Sequence, residues 1–503
     1  MNVNHKMEDK RQNNVYTHIL KYTGLFGGVQ ALSILVALVR NKLVAILLGP
    51  MGMGLMSLFN TTIRFISDST NLGVGVSAVK HLSEAYEQND KQKLQQSVQT
   101  IRAWATVTAL GGMLVCALLS PLLSRYTFGW GKHTLHFLLL SPAVAMTTLT
   151  LGETAILKGV RKLGALAHIS LINIVLALIL TVPLFFFLGI SAIVPSINLV
   201  ALTQLAVTLT FSLHCCPMQF RLDKATLQRG VSMIKLGIAF LFAGIFGSGS
   251  DFLIRSFVNN AGSPDTLGLF NAGYMITMTY GGMVFSAMET DYFPRLSAIE
   301  QTGATLNATV NKQIEVSLLI ISPMLVALII GLPLILPLLY SRTFSPATAM
   351  AQIMALALYL RAVKLPIAYL PLARGDSRSY LLMEGIYAAV YILISIGCFH
   401  AFGLFGLGAA VVSVACFDFI MLNVYMRFRY GYLLSRSAVK LMLQQLPIGL
   451  VAYVLTKTGE SWTYWLAGTG LFCLSLYLSL KELHKRTRLW DKLKAKYFHS
   501  SQS

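Results

Sequence analysis

Charged residues are scarce in this chain. Asp, Glu, Lys and Arg make up 12% of its 503 residues, whereas soluble globular proteins carry roughly 25%. Acids are the scarcer kind, with 20 against 40 Lys and Arg, and hydrophobic residues make up 55%. Such a share over this length requires many spans of about 20 apolar residues. Because a helix satisfies its own backbone polar groups in lipid, the sequence predicts an all-α integral membrane protein.

Cysteine is also scarce, and its spacing excludes two classes of site. The six cysteines form no CxxC pair, so we predict neither a zinc site nor a disulfide framework. The chain lacks GxSxG, HExxH and P-loop motifs, so we predict no enzyme activity, catalytic residue, metal or cofactor. Its basic residues are spread through short loops and form no stripe with aromatics, which excludes nucleic acid as a partner.

Apolar runs of spanning length predict about 14 transmembrane helices. The runs lie at approximately 23–48, 54–79, 99–123, 134–157, 164–188, 192–213, 231–258, 267–290, 314–339, 347–373, 379–401, 407–426, 438–456 and 462–480. Basic residues gather in every second connection, and cytoplasmic loops carry this excess. Both termini are therefore predicted to be cytoplasmic, with a tail over residues 1–22 and a basic tail over 481–503.

The two halves of the chain resemble each other. Gly54-Leu55 corresponds to Gly268-Leu269 at an offset of 214 residues, and Gly189-Ile190 corresponds to Gly406-Leu407 at an offset of 217. Because the matches keep one order, they indicate two pseudo-symmetric six-helix bundles in parallel repeat, with a substrate site between them. The predicted bounds are 23–213 for the N-terminal bundle, 231–426 for the C-terminal bundle and 438–480 for two additional transmembrane helices.

Ionisable residues inside spans are costly, so each one indicates a cavity or a partner. Arg64 and Asp68 share one helical face in the second run, and Asp251 and Arg255 share one in the seventh. Each acid lies four residues from an arginine, which suits an intrahelical pair. Two interpretations stay open: the pairs neutralise themselves at a helix contact, or both helices line a polar lumen.

The tenth run holds Arg361 near its middle and Lys364 one turn later, with no acid beside them in that run. A basic pair at this depth needs an anion or water, and the planar fork of arginine suits a phosphate group. Phosphate or pyrophosphate is therefore the predicted ligand. Arg40 and Lys42 lie in the outer end of the first run, where snorkelling to headgroups is the alternative to substrate binding.

Acids inside the spans are candidates for carrying a coupling ion, because transporters use such groups as proton relays. The candidates are Asp68, Asp251, Glu289 and Glu384. Glu153 and Asp418 also lie within or near spans. For Glu153, Glu289, Glu384 and Asp418 taken singly, a satisfied hydrogen bond near a helix end is the alternative.

Several segments across about residues 20–430 resemble the O-antigen and polysaccharide-repeat-unit translocases of the multidrug/oligosaccharidyl-lipid/polysaccharide exporter superfamily. The segments are Arg40-x-Lys42 with Leu48 to Gly54, Phe293 to Ser297, Ala373 to Tyr380 running on to Glu384, and Gly406 to Ala410. The resemblance implies a central cationic lumen, alternating access and a polyprenyl-pyrophosphate oligosaccharide as substrate. It also implies a basic residue where Arg361 stands and an acid where Glu384 stands, and it does not cover residues 438–503.

Together these observations predict a flippase of a bacterial inner membrane. As the resemblance implies, it would move undecaprenyl-pyrophosphate-linked oligosaccharide, an O-antigen or related surface polysaccharide repeat unit of the lipopolysaccharide kind, from the cytoplasmic to the periplasmic leaflet. The predicted partners are this substrate, membrane lipid, H⁺ or Na⁺, and polysaccharide polymerase and chain-length proteins. The candidate substrate-binding residues are Arg40, Lys42, Arg64, Arg255, Arg361 and Lys364.

Three other functions remain as alternatives. A multidrug or cation antiporter of the same superfamily would want an acidic cavity, and the excess of arginine in the spans argues against it. A peptidoglycan-precursor flippase would want the same cationic lumen as the predicted function. A glycan polymerase or ligase would need catalytic residues on long outer loops, and the predicted outer loops are short.

Overall fold

The computed structural model of the chain describes residues 2–88, 90–129, 133–217, 222–299, 303–459 and 461–487. Within these ranges, the side chains of 2–31, 163, 236, 239, 286, 287, 289–291, 294, 486 and 487 lie outside the description. The chain forms two compact units, Met1–Asp265 and Thr266–Ser503.

The first unit is helical. Its helices are α1 (Asn2–Thr70), α2 (Val74–Glu87), α3 (Lys91–Thr127), α4 (Thr134–Gly159), α5 (Leu163–Leu188), α6 (Ile193–Cys215) and α7 (Lys224–Ala261). Helix α1 packs on α5 and α7, and α4 packs on α3 and α6. Aspartates start two of these helices: Asp90 accepts hydrogen bonds from the Gln92 and Lys93 amides, and Asp223 accepts one from the Thr226 amide. Each carboxylate satisfies amides that a helix start leaves unpaired.

The second unit is also helical. Its helices are α8 (Pro264–Tyr274), a π-helix (Met275–Tyr280), α9 (Met283–Ser297), α10 (Ala304–Leu339), α11 (Thr348–Ala355), α12 (Ala357–Ala373), α13 (Ser377–Tyr430), α14 (Arg436–Leu455) and α15 (Trp462–Thr487). Helix α10 is the centre of this unit, because it packs against α12, α14 and α15. Its apolar side chains supply much of the core, including Leu318, Leu325 and Ile329.

Within the described residues, nine helices are long and apolar enough to cross a membrane, and the bent pair Arg342–Ala355 and Ala357–Ala373 makes a tenth. The longest helices bend at glycines with positive φ, α1 at Gly49 and α13 at Gly403. Gly189, also with positive φ, separates α5 from α6. The stretch from α5 to α6 and helix α13 each contain two of the predicted runs, and α1 contains the first run and the start of the second. The all-α membrane class is confirmed, and the helices are compatible with 14 spans.

Two predicted runs are interrupted in the structure. The run 54–79 breaks after Thr70, where the Gly73 amide donates to Asn71 Oδ1 at 2.7 Å and Leu72 takes a positive φ. The run 267–290 contains α8, the π-helix and the start of α9. A π-helix is rare and occurs frequently at functional sites, so this second interruption bears on the site described below.

Helix α7 lies in the first unit, where it packs on α1, α2 and α3. The repeat assigns this helix to the C-terminal bundle, so packing and repeat place α7 differently. The contact is close, because a Cβ atom on Gly73 would lie 2.1 Å from the Gly237 carbonyl oxygen. Glycine at both positions lets the two backbones meet.

The two helices beyond the repeat, α14 and α15, belong to the second unit and pack on its other helices. The Tyr464 hydroxyl of α15 donates to the Ile330 carbonyl of α10 at 2.7 Å. A Cβ atom on Gly449 of α14 would lie 2.6 Å from the ring of Tyr359. These contacts fasten the added helices to α10 and to α12, the helix that carries Arg361.

Candidate functional site

In the first unit, the predicted polar faces of α1 and α7 meet each other. Arg255 Nη1 donates to Ser57 Oγ at 2.6 Å, and the Arg255 side chain is buried. Asp68 lies within hydrogen-bonding reach of Ser248. The ring of Phe65 stacks on that of Phe252, with centroids 5.1 Å apart. This part of the α1 and α7 surface is therefore a helix contact.

Arg64 and Asp68 form the intrahelical pair that their spacing predicts. Arg64 Nε lies 3.7 Å from Asp68 Oδ2, and the Arg64 side chain is 72% exposed. The guanidinium is therefore accessible, whereas that of Arg255 is enclosed. Asp251 is half-buried on α7.

The basic residues of the first run lie elsewhere in the first unit. Arg40 Nε donates to Thr181 Oγ1 of α5 at 3.3 Å. Lys42 is half-buried two residues further along α1. Arg40 is thus anchored to the α5 helix, beside which the chain bends at Gly189.

The second unit contains a cavity of about 330 Å³. Its walls come from α8, the π-helix, α12 and both halves of α13. Arg361, Lys364 and Glu384 line it together with Asp418. Three of these four residues are predicted site residues, and the structure brings them together in one place.

The π-helix contacts Arg361 and fixes the position of its guanidinium. Its Nη1 atom donates to the Met278 carbonyl oxygen at 3.3 Å, and its guanidinium lies over the Phe285 ring, 5.3 Å from the centroid. The π-helix has i→i+5 bonding, as the Gly281 amide to the Ile276 carbonyl shows. A Cβ atom on Gly282 would lie 3.0 Å from Arg361 Nη1, so glycine leaves room for the guanidinium.

Lys364 has an acidic partner that its own helix does not supply. Its ammonium bonds Asp418 Oδ2 from the second half of α13 and lies 4.8 Å from the centroid of the Tyr387 ring. Glu384 lies near enough to interact electrostatically with both Lys364 and Asp418. The cavity thus contains two cations and two acids, with aromatic rings around them.

Three charged residues that form ion pairs in the structure were not among the predicted site residues. Asp418 contacts Lys364 across 54 positions of sequence, and only its place inside an apolar run signals a role. Arg102 of α3 forms a buried ion pair with Glu153 of α4. The side chain of Glu289, another predicted ion-coupling residue, lies outside the described residues.

The sequence matches one known family over most of its length. Residues 43–349 match the family described as polysaccharide biosynthesis protein. No curated protein matches the sequence.

Solved structures of transporters share the fold. The lipid II flippase MurJ, in an inward closed conformation, is 12% identical with a TM-score of 0.71, covering 92% of this chain and 99% of that one. An inward-facing multidrug resistance MATE family transporter of the MOP superfamily is 14% identical with a TM-score of 0.64, covering 79% and 94%. A MOP superfamily transporter from Pyrococcus furiosus, whose binding pocket is described as of reverse polarity, is 15% identical with a TM-score of 0.56, covering 81% and 93%.

Proposed function

The chain belongs to the polysaccharide biosynthesis protein family, and from this premise we propose that it is a flippase for a polyprenyl-pyrophosphate-linked oligosaccharide. The proposed substrate is an O-antigen or related surface polysaccharide repeat unit on undecaprenyl pyrophosphate. It would pass from the cytoplasmic to the periplasmic leaflet of a bacterial inner membrane by alternating access. The proposed topology has both termini in the cytoplasm, in accord with the positive-inside rule.

The cavity of the second unit is the observation that carries this proposal. Arg361 and Lys364 of α12 both line it. A guanidinium provides paired donors that match phosphate oxygens. A bound pyrophosphate would lower the cost of keeping these cations inside the membrane. The anion would in particular neutralise Arg361, whose described contacts are a backbone carbonyl and the Phe285 ring.

Aromatic side chains support a sugar-bearing substrate in the same cavity. Tyr387 and Tyr391 of α13 stack on each other with ring centroids 5.9 Å apart, and both line the cavity with Tyr380. Tyrosine offers a flat apolar face with one polar end. Such faces suit the apolar faces of sugar rings beside the pyrophosphate. The polyprenyl chain would remain in the bilayer.

In this proposal Arg64 of the first unit is a further substrate-binding residue. Its side chain is exposed and paired with Asp68. Arg255, Arg40 and Lys42 contribute if the helices that hold them move apart during transport. Coupling to H⁺ or Na⁺ would involve acids among Asp68, Asp251, Glu289 and Glu384. Polysaccharide polymerase and chain-length proteins are the proposed partners that would receive the product.

Two alternatives predict different phenotypes. A multidrug or cation antiporter is favoured by the fold shared with a MATE transporter, but its cationic substrates would meet Arg361 and Lys364. A peptidoglycan-precursor flippase is favoured by the fold shared with the lipid II flippase. Deletion of the gene separates them: drug sensitivity indicates the antiporter, and loss of viability with precursor accumulation indicates the peptidoglycan flippase. Loss of surface polysaccharide alone indicates the proposed function.

Complementation with Arg361 variants tests the role of the cavity. Arg361→Ala should reduce surface polysaccharide by about tenfold or more, because a hydrogen bond to a charged group contributes about 1.5–3 kcal/mol. Arg361→Lys should restore part of it, because the charge remains while the paired donors are lost. Arg427→Ala, which removes an exposed arginine from the last turn of α13, is the matched control. Normal polysaccharide with Arg361→Ala, at a normal protein level, would remove this cavity from the mechanism.

A further inference from the structure

The ammonium of Lys364 is already engaged by an acid within the cavity. It bonds Asp418 Oδ2, and the side chains of Lys364 and Asp418 are 17% and 9% exposed. An anionic ligand that binds Lys364 must therefore compete with Asp418. Arg361 differs, because its described contacts are a backbone carbonyl and the Phe285 ring.

We propose that Asp418 is an internal competitor for the phosphate group, and that the cavity binds a pyrophosphate together with one proton. The ligand would displace Asp418 from Lys364, and the displaced carboxylate would take its proton from solution. This inference rests on the proposed function, since it concerns how the same cavity accepts its substrate. It assigns to Lys364 and Asp418 a coupling role that Arg361 lacks.

The proton follows from burial. A carboxylate enclosed in protein without a cation is costly and becomes neutral by taking up a proton. Displaced Asp418 would also face Glu384, another acid of the same cavity, and two neighbouring carboxylates disfavour double ionisation. Besides Lys364 and Arg361, the titratable groups that line the cavity are Glu384 and the tyrosines at 274, 380, 387 and 391. Of these groups, Asp418 is the one that loses its cationic partner when the ion pair is displaced, so Asp418 is the group that takes up the proton.

The charge balance makes the proposal quantitative. Before binding, Lys364 and Asp418 neutralise each other; after binding, Lys364 neutralises part of the phosphate charge and Asp418 is neutral. Binding of the anion and binding of the proton then strengthen each other by the same factor, because coupling between two sites is reciprocal. One proton taken up per anion makes the affinity fall about tenfold for each unit of rising pH.

The variants are predicted to separate the two roles. Asp418→Asn imitates the protonated acid, so it should bind the anion more tightly at high pH and take up no proton at this position. Lys364→Met should bind more weakly and also lose the proton uptake, because there is no ion pair to displace. Arg361→Ala should bind more weakly while the proton uptake stays as in the wild type.

Calorimetry on the purified full-length protein in detergent tests this. The probe is farnesyl pyrophosphate, titrated at pH 7 and pH 8 in two buffers that differ in heat of ionisation. The difference in heat between buffers counts protons, and the ionisation of the probe itself cancels between variants. Wild type should take up about one proton more than Asp418→Asn, and Asp418→Asn should bind about tenfold tighter than wild type at pH 8. Arg427→Ala is the matched control, because it removes an exposed charge from the last turn of the same helix, outside the cavity, and should bind the probe and take up protons as wild type does.

The outcomes separate this inference from the proposed function. Equal proton uptake in wild type and Asp418→Asn, or weaker binding by Asp418→Asn, would overturn the competition while leaving an Arg361-dependent binding site. Binding that does not depend on Arg361 would instead overturn the proposed function. If Asp418→Asn does not fold, Lys364→Met decides: loss of the extra proton supports the competition, and its persistence overturns it.

Discussion

Arg102 and Glu153 form a bidentate ion pair inside the first unit. Nε lies 2.8 Å from Oε1 and Nη2 lies 3.1 Å from Oε2, and both side chains are more than nine-tenths buried. The Ser212 hydroxyl of α6 donates to Glu153 Oε2 at 2.5 Å, and Arg102 donates to the Cys216 carbonyl at 3.1 Å. One ion pair therefore joins α3, α4 and the end of α6.

Breaking this pair should destabilise the first unit. Glu153→Gln leaves the Arg102 charge buried without its anion, which costs about 3–5 kcal/mol. The double variant Arg102→Met/Glu153→Leu should recover most of that loss, because a buried pair replaced by apolar groups is often neutral. Thermal unfolding of the purified variants in detergent measures both. A Glu153→Gln protein that unfolds like wild type but does not transport would show that Glu153 is a proton relay instead.

The same pair shows what the sequence could predict and what it could not. Glu153 could be recognised as an acid near a span end, with a satisfied hydrogen bond as one interpretation. Its partner could not, because Arg102 is 51 residues away and hydropathy does not say which helices are neighbours. Lys364 and Asp418 repeat this situation between α12 and α13. Ion pairs between helices depend on packing, so single-helix spacing finds only pairs such as Arg64 and Asp68.

Fold class was more predictable than local geometry. Length and hydropathy of the runs determine where helices lie, so the bends at Gly49 and Gly403 fall between predicted runs. The break in the run 267–290 was not predicted, although Gly281-Gly282 marks it in the sequence. A glycine pair in an apolar run is compatible with an unbroken helix. The space that these glycines leave for Arg361 depends on how α12 packs, which the sequence of the run does not show.

The contact between α7 and the turn after α1 should not tolerate a side chain. A Cβ atom on Gly237 would lie 2.4 Å from the Leu72 carbonyl oxygen. Gly237→Ala should therefore lower the stability of the first unit by about 1–3 kcal/mol, the usual cost of overpacking. Gly247→Ala is the control on the same helix, because its Cβ atom would have no neighbour within 4 Å. Equal melting temperatures of both variants in detergent would contradict the close approach.

Gly282 should matter for function through Arg361. Gly282→Ala would place a methyl group 2.2 Å from the Met278 carbonyl oxygen and 3.0 Å from Arg361 Nη1. The Arg361 guanidinium would be displaced from its position beside the π-helix. Loss of one charge-assisted hydrogen bond between it and the substrate should reduce transport about tenfold or more. Surface polysaccharide in a complemented deletion strain measures this. Gly397→Ala of α13, with open space around its Cβ atom, should transport normally; equal activity of the two variants would refute the role of Gly282.

The connection between α12 and α13 should respond to acid through Asp376. Its carboxylate accepts hydrogen bonds from Ser379 Oγ at 2.7 Å, Tyr430 Oη at 2.9 Å and Arg429 Nη2 at 3.1 Å. The hydrogen bonds from Ser379, followed by those from Tyr430 and Arg429, hold the pKa of Asp376 below its usual value. Helix α13 thus begins and ends on one carboxylate.

The sign of the pH effect follows from that lowered pKa. The unfolded chain has an aspartate pKa of about 3.9, so the bonds of Asp376 contribute fully above that pH and are lost as the pH falls towards the lower folded value. Asp376→Asn should melt at a lower temperature than wild type at pH 7, and the difference should shrink below pH 4. The control is Asp90→Asn, which alters the aspartate cap at the start of α3. It measures the effect of an aspartate cap that does not also bind the end of its own helix. A difference between Asp376→Asn and wild type that stays constant from pH 7 to pH 3 would show that the ionised carboxylate does not hold the two ends of α13.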